Sequence, residues 1–292
     1  MPAEAGIRLS PTPTVVIEAR PDTLPAVLRA LWRYRGFYGL LFKDLLMRRA
    51  RGTLLGIWWV FLRPLSAAGG YIAAFTVVAP SVTAGSNIPY PVFFLSGFIT
   101  WRLFAATLQH VPRSLTRSRS IMAKTYFPRL LVPFAGFGLA VIEVGFLLVI
   151  FMALAAWTAW NGPSPVSLRL ATLWIIPCLL GSLLFALAFG MVLGIIALFF
   201  RDIMYSARYF SQLMMFVTPV LYPPEAVPGS FRWVVFTLNP MAQMVTVSRW
   251  ALTGQGQFEA GFVALAFVSI LVVFGLAVWF FLRAEAQLGD QL

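Results

Sequence analysis

The sequence is poor in charge and almost without the groups that metal, redox and phosphate chemistry require. Only 11% of its 292 residues are charged, and it holds one cysteine, one histidine and ten carboxylates that are scattered singly along the chain. Cys178 alone supports neither a disulfide framework nor a thiolate cluster. His110, at the cytoplasmic end of an apolar run, gives no histidine-rich site and reads as an interfacial residue, so no metal is expected. The only lysines are Lys43 and Lys124. A phosphate-binding loop of the form G-x-x-x-x-G-K-[ST] would need glycines where Ser118 and Ala123 precede Lys124-Thr125, so ATP is not expected to be cradled in that way. Catalysis at a bilayer face needs acids, nucleophiles or ligands gathered in one place. The scattered carboxylates therefore point to no catalytic residues and argue against a membrane-embedded glycosyl- or acyltransferase. The first 50 residues contain no short apolar segment ending in a small-residue cleavage site, and no cleavable signal peptide is expected.

What the chain has in excess is apolar surface. It is 60% hydrophobic with a mean hydropathy of +0.84, where a soluble chain is nearly half apolar and about a quarter charged. Six apolar runs, near 54–79, 90–111, 130–158, 172–200, 203–222 and 260–282, are each long enough for a bilayer core of about 30 Å, which takes about 20 helical residues. The expected fold class is an all-α integral membrane protein with six transmembrane helices. The net charge of +12 would suggest nucleic acid if the basic residues formed one patch. Instead they alternate between connections. With the N-terminus on the cytoplasmic side, 17 Lys/Arg fall in cytoplasmic segments and three (Arg169, Arg232, Arg249) on the other side. This bias predicts a multi-pass chain with both termini cytoplasmic, in contact with membrane lipids and not with nucleic acid.

Outside the spans, residues 1–23 carry Pro2, Pro11, Pro13 and Pro21 and read as a flexible tail; residues 284–292 read as a second cytoplasmic tail. Residues 24–50 place apolar side chains at three- and four-residue steps with Arg29, Arg33, Arg35, Lys43, Arg48 and Arg49 between or beyond them. The pattern is an amphipathic helix, bent near Gly36 and Gly39, that suits a membrane surface or a docked partner equally. Between the fifth and sixth runs, two apolar pieces (232–238 and 241–252) are too short to span and flank Asn239-Pro240. They read as a re-entrant pair or as two interfacial helices. Gly190 and Gly194, and Gly69-Gly70 with Ala73 and Ala74, suit close helix packing. Trp58, Trp59, Tyr222 and Trp233 stand near span ends, as an interfacial belt requires; a sugar conduit would also use such ring faces. Inside the spans, Arg63, Arg102 and Glu143 need protein or water around them. Glu143 falls near mid-bilayer and Arg102 nearer the cytoplasmic face, so their long side chains could meet; an ion pair is favoured, with separate lumen-facing roles as the alternative.

Five segments in this order resemble the permease subunits of ABC-type polysaccharide exporters, the Wzm-like group. They are Arg51-Gly52-Thr53-Leu54-Leu55-Gly56-Ile57-Trp58-Trp59; Leu95-Ser96-Gly97-Phe98-Ile99-Thr100-Trp101; Lys124-Thr125-Tyr126-Phe127-Pro128-Arg129 with Pro133; Phe199-Phe200-Arg201-Asp202-Ile203; and Thr218-Pro219-Val220-Leu221-Tyr222-Pro223 with Leu238-Asn239-Pro240-Met241 and Arg249. The resemblance covers about residues 30–285. It implies a plasma (inner) membrane homodimer that binds two ABC ATPase subunits, with ATP and Mg on those partners and no cofactor on this chain, and that exports a lipid-linked polysaccharide of the O-antigen, capsule or teichoic-acid kind. Residues 24–50 would be the interface helix. Residues 112–128 would hold the coupling segment, with Arg113, Arg117, Ser118, Arg119, Met122 and Lys124 facing the ATPase, and Pro112 and Pro128 bracketing its short helix. Residues 224–256 would be outward gate helices, with Tyr222, Trp233, Asn239, Pro240 and Met241 at the gate. Trp58, Trp59, Phe98, Trp101, Arg102 and Glu143 are candidates for the translocation path. Arg63 and Arg102 stand where the family pattern has uncharged polar or small residues. The competing expectation is an ion- or proton-coupled secondary transporter or channel, motivated by the same intramembrane charges; the absence of an internal repeat speaks against it.

Overall fold

A backbone that crosses lipid must satisfy its polar groups within itself. The computed structural model is accordingly built of helices, with no strand among its described residues, which are 29, 32–78, 88–124, 127–162, 166, 169–200 and 202–288, side chains of 49, 50, 123, 124 and 285–288 excepted. The expected tail 1–23, the start of the amphipathic helix, Arg201, the end of the C-terminal tail and the side chains of Arg49 and Lys124 lie outside them. The helices are α1 (Arg35–Ala50), α2 (Trp59–Val78), α3 (Tyr90–Arg117), α4 (Arg119–Lys124), α5 (Leu131–Asn161), α6 (Ile175–Phe199), α7 (Ile203–Val217), α8 (Gly229–Leu238), α9 (Pro240–Thr253) and α10 (Ala260–Leu288).

Among the described residues, five stretches are long and apolar enough to cross a membrane: Gly56–Val77, Tyr90–Arg117, Leu131–Asn161, Leu170–Phe199 and Ala260–Ala284. The fifth apolar run, expected over 203–222, forms a helix of only 15 residues, α7. At 1.5 Å per residue it is about 22 Å long, less than the hydrocarbon core. Its end has a local cause. Pro219 disfavours helical backbone in the residue before it, and Thr218 is extended, with φ −84° and ψ 134°. Other boundaries also shift. The second run continues past Pro112 to Arg117, so Pro112 lies inside α3, and the short helix α4 is flanked by Ser118 and Pro128 instead. The sixth run continues into the expected tail as far as Leu288. The amphipathic helix turns at Tyr34, while Gly36 and Gly39 sit within α1.

The helix α3 is the centre of the bundle. Of its membrane-crossing window 89% is buried, against 17% for the first and 22% for the last, so those two outer helices present their apolar faces outward. Two glycines let α6 close on α3: a Cβ at Gly190 would stand 2.9 Å from Val111 Cβ, and one at Gly194 would collide with Leu115 Cδ1 and lie 3.3 Å from Pro112 Cα. Gly69 and Gly70 have nothing within 4 Å of such a Cβ and pack against no described neighbour. On the other side of α3, Ser114 Oγ donates to the carbonyls of Val111 and Val132 and abuts Gly136 of α5. Helix α1 lies on α5 through Tyr38 and Phe42, which meet at Gly138, and on the segment before α5 through Phe37, whose ring is 4.6 Å from that of Phe127. Its Leu41 and Leu45 are buried in a cluster with Leu115, Leu131 and Leu139.

The segment between α7 and α10 folds into the bundle. Asn239 caps α9 by accepting from Met241 N at 3.1 Å, and Pro240 occupies the first helical position, where its missing N–H costs nothing. Helix α9 ends at Gly254, whose φ of 71° places it in the left-handed region. Every residue of α9 except Trp250 is buried, against α3, α6 and α10. Its polar side chains are stitched to α3: Thr100 Oγ1 donates to Ser248 Oγ at 2.7 Å, and Ser248 Oγ donates to Ser96 O at 3.1 Å. From α6, Ser182 Oγ donates to Thr100 O at 2.9 Å.

Candidate functional site

A cavity of about 490 Å³ lies between α2, α3, α5 and α7. On α3 its lining follows one helical stripe: Phe98, Trp101 and Arg102, Ala105, Gln109 and His110, Arg113. The opposing stripes are Arg63, Ala67 and Tyr71 on α2, and Arg208, Ser211, Gln212 and Met215 on α7. These are three- and four-residue steps, as expected of helix faces turned to one space.

Its lining includes a charge cluster. Glu143 is 3% exposed and accepts from Arg102 Nη2 at 2.6 Å through Oε2 and pairs with His110 Nε2 at 2.9 Å through Oε1. Both carboxylate oxygens are thus engaged by α3, one turn above and one below the level of Glu143. The Arg102 side chain, 19% exposed, faces the cavity. The pair anticipated between Arg102 and Glu143 is present; His110, read from the sequence as an interfacial residue, is its third member. Periodicity holds the signal that was missed, since 110 lies eight residues after 102, on the same face of α3.

The other candidates separate. Phe98 and Trp101 line the cavity with Arg102 and Glu143. Trp58 and Trp59 do not; Trp58 is exposed, its ring 6.0 Å from that of Phe61, and Trp59 stacks under Arg63, whose Cζ is 5.5 Å from its ring centre. Ser118 and Met122 are buried within the chain, whereas Arg117, Arg119 and Ser120 face outward and Arg113 is half-buried at the cavity. On α1, Arg33, Arg35 and Lys43 are exposed; Arg48 bonds Asp44 at 2.6 Å, and Arg35 Cζ lies 4.9 Å over the Trp32 ring. Arg29 is also exposed.

Of the gate candidates, Trp233 is exposed, and Met241 and Pro240 are buried. Asn239 Nδ2 donates to Thr218 Oγ1 at 2.8 Å, and the Tyr222 hydroxyl donates to Phe216 O at 2.9 Å and to Val217 O at 3.1 Å. The strongest tie comes from Arg249, 4% exposed. Its Nη2 donates to the carbonyls of Pro219 and Val220, both at 2.9 Å, and its Cζ lies 3.9 Å over the Phe93 ring. Gly97 leaves the room, since a Cβ there would be 2.8 Å from that same nitrogen. Those carbonyls belong to the irregular turn that follows α7, and the guanidinium gives them a buried charged donor.

The family described as ABC-2 type transporter matches residues 37–253, the region that contains the cavity, the short helix α4 and the α8–α9 pair. The chain belongs to the ABC-2 type transporter family. Among curated proteins it is similar to the O-antigen export system permease protein RfbA of Myxococcus xanthus, 29% identical over 267 residues that cover 89% of this chain and 96% of that protein. Two proteins of the same name from Klebsiella pneumoniae are 28% identical over 241 residues (81% and 88% of the two chains) and 29% identical over 239 residues (80% and 84%). The chain is thus a multi-pass membrane permease of the ABC type. The cavity-lining residues Tyr71, Gln109, Arg208, Ser211, Gln212 and Met215 were not singled out for this space from sequence, because only the register of α2 and α7 against α3 brings them to it.

Proposed function

We propose that this chain is the membrane-spanning subunit of an ATP-driven exporter that moves an O-antigen-like, lipid-linked polysaccharide across the plasma membrane. The observation that carries the reading is membership of the ABC-2 transporter family across the whole region that holds the cavity, together with similarity over most of the chain to permeases named for O-antigen export. Two copies of the chain assemble with two ATPase subunits, which bind ATP and Mg. In each copy α7, continued by residues 218–222, counts as the sixth crossing. Helices α8 and α9 dip into the membrane from the outer side as a gate; the burial of α9 against α3 and α6 supports this. Helix α1 rests on the cytoplasmic surface, with Arg33, Arg35 and Lys43 toward the headgroups or the ATPase. The outward-facing Arg117 and Arg119 beside α4 receive the ATPase, whose closure shifts the dimer between states of different access. Phe98 and Trp101 offer ring faces to sugar along the path, and Arg102 is held toward the cavity by Glu143.

An ion- or proton-coupled transporter is the weaker reading, since Arg102, Glu143 and His110 bond to one another. The test is deletion of the gene followed by analysis of the cell-surface glycan, with purification of the tagged chain. Loss of surface glycan with intracellular accumulation of its lipid-linked form, together with co-purification of a protein bearing a phosphate-binding loop, is the expected result. Unchanged surface glycan in the deletion strain refutes the reading.

A further inference from the structure

The turn after α7 cannot continue as a helix for a second reason besides Pro219. In an α-helix the N–H of residue i+4 serves the carbonyl of residue i. For Pro219 and Val220 those residues are Pro223 and Pro224, and proline carries no N–H. The two carbonyls that the prolines orphan are the two that Arg249 Nη2 holds at 2.9 Å. The next carbonyl, Leu221 O, accepts from the Tyr90 hydroxyl at 3.2 Å. Thr218, Val220 and Leu221 are buried, so water is no substitute for these donors.

The donors come from α9 and from the N-terminal end of α3. Those two helices are themselves joined through Thr100, Ser248 and Ser96, and the guanidinium of Arg249 lies on Phe93 of α3. Turn, α9 and α3 are thus bonded pairwise. Helix α8 is seated differently. Of its ten residues only Phe236 is buried, in a small cluster with Val227 and Ala242 that is separate from the main core. A crevice lined by Arg232 and Phe236 on one side and by Gln243, Thr246 and Phe262 on the other divides α8 from α9 and α10. Asn239, extended at φ −114° and ψ 91°, is the one residue between α8 and α9.

We propose that Arg249 is a positioning residue: it supplies the donors that Pro223 and Pro224 withhold, and so makes the turn 218–222, α9 and the N-terminal half of α3 one rigid block, against which α8 alone swings about Asn239. Elements that move are drawn from the least buried parts of a fold, and a hinge is a residue at the end of an element that absorbs the change in φ and ψ. Of the helix pair α8–α9, only α8 meets the first condition. That its swing opens the outer mouth rests on the exporter reading; the block does not.

The block is tested by thermal unfolding of the full chain in nanodiscs. Arg249→Met should lower the midpoint by about 4 °C. Adding Pro223→Ala and Pro224→Ala returns N–H donors to the orphaned carbonyls, with Pro219 suited to the first position of the new turn, and at least half of the loss should return. The same two replacements beside an intact Arg249 should raise the midpoint by less than half as much, because the carbonyls are already bonded. Export measured in the deletion strain should stay lost in the triple variant, since a turn that caps itself no longer holds α9. A midpoint that stays down in the triple variant, or an equal gain with and without Arg249, overturns the donor replacement. Export that returns with the midpoint overturns the positioning role.

The swing is tested by closing cysteine pairs with a short thiol cross-linker in a chain carrying Cys178→Ala. Thr100→Cys with Ser248→Cys joins α9 to α3, and Phe236→Cys with Phe262→Cys joins α8 to α10. Export should continue with the first pair closed and stop with the second, each compared with the same variant left open. Arrest by the first pair, or passage with the second closed, overturns the division between block and swinging helix. A wild-type chain that exports no glycan refutes the exporter reading, and the midpoint series still judges the block.

Discussion

Replacing Arg102 by leucine should damage the fold more than replacing its partner, and replacing both should damage it less than the two losses together. In Arg102→Leu the carboxylate of Glu143, 3% exposed, keeps only the imidazole of His110 at 2.9 Å among the bonds just described. Removing one member of a buried pair typically costs 3–5 kcal/mol, and the remaining His110 bond puts this case at about 3 kcal/mol. In Glu143→Leu the stranded group is Arg102, 19% exposed toward the cavity, where water reaches it; the loss should be about 2 kcal/mol. The double replacement leaves neither charge and two apolar side chains of suitable size, a change that is often close to neutral, so a loss under about 2 kcal/mol is expected. At about 2 °C per kcal/mol for a chain of this size, the midpoints should fall by about 6, 4 and under 4 °C. The assay is thermal unfolding of the purified protein in nanodiscs, followed by size-exclusion chromatography. A double variant whose midpoint falls by about 10 °C, the sum of the single effects, would refute the pairing argument.

Gly194→Leu should lower stability by about 1–3 kcal/mol, because the new side chain must displace Leu115 or push α6 off Pro112; Gly69→Ala, in open space, should leave the same thermal midpoint unchanged. Arg249→Met should reduce stability by about 2 kcal/mol and reduce export further, since it leaves the carbonyls of Pro219 and Val220 unpaired; Arg249→Lys should recover little of the export, because an ammonium does not reproduce the planar stacking on Phe93. Cysteines at Arg119 and Ser120 should capture the ATPase subunit by cross-linking in the assembled exporter, while one at the buried Met122 should not. Capture through Met122 alone would show that the chain meets its partner by another face.

Long apolar runs made the spanning helices legible, because hydropathy over 20 residues is a property of the run itself. The end of α7 was less so: the run to Tyr222 is apolar enough to read as one span, and hydropathy does not record that Pro219 stops the helix at Val217. Pro112 misled in the opposite direction, since α3 passes through it. The Arg102–Glu143 pair followed from depth along two antiparallel helices. His110 escaped because its position near a span end fits an interfacial role equally well, and only rotation of α3 turns it toward α5. Ser118 and Met122 were assigned to a docking face by their place in a basic segment; the turn into α4 directs them inward and leaves the neighbouring arginines outside. Side-chain direction in short connections depends on the path of the chain, which composition does not record.

The arginine that replaces the lost donors at the end of α7 belongs to another element, α9, and Asn239 at the start of α9 bonds Thr218 as well. Both ends of α9 are therefore fastened to the break, one by two carbonyls and the other by a hydroxyl. The same short helix α7 carries Arg208, Ser211, Gln212 and Met215 into the cavity wall. One short helix thus carries the cavity wall on its face and the anchor points of α9 at its end, so that under the gate role proposed above any shift of α9 has a bonded route to the cavity wall.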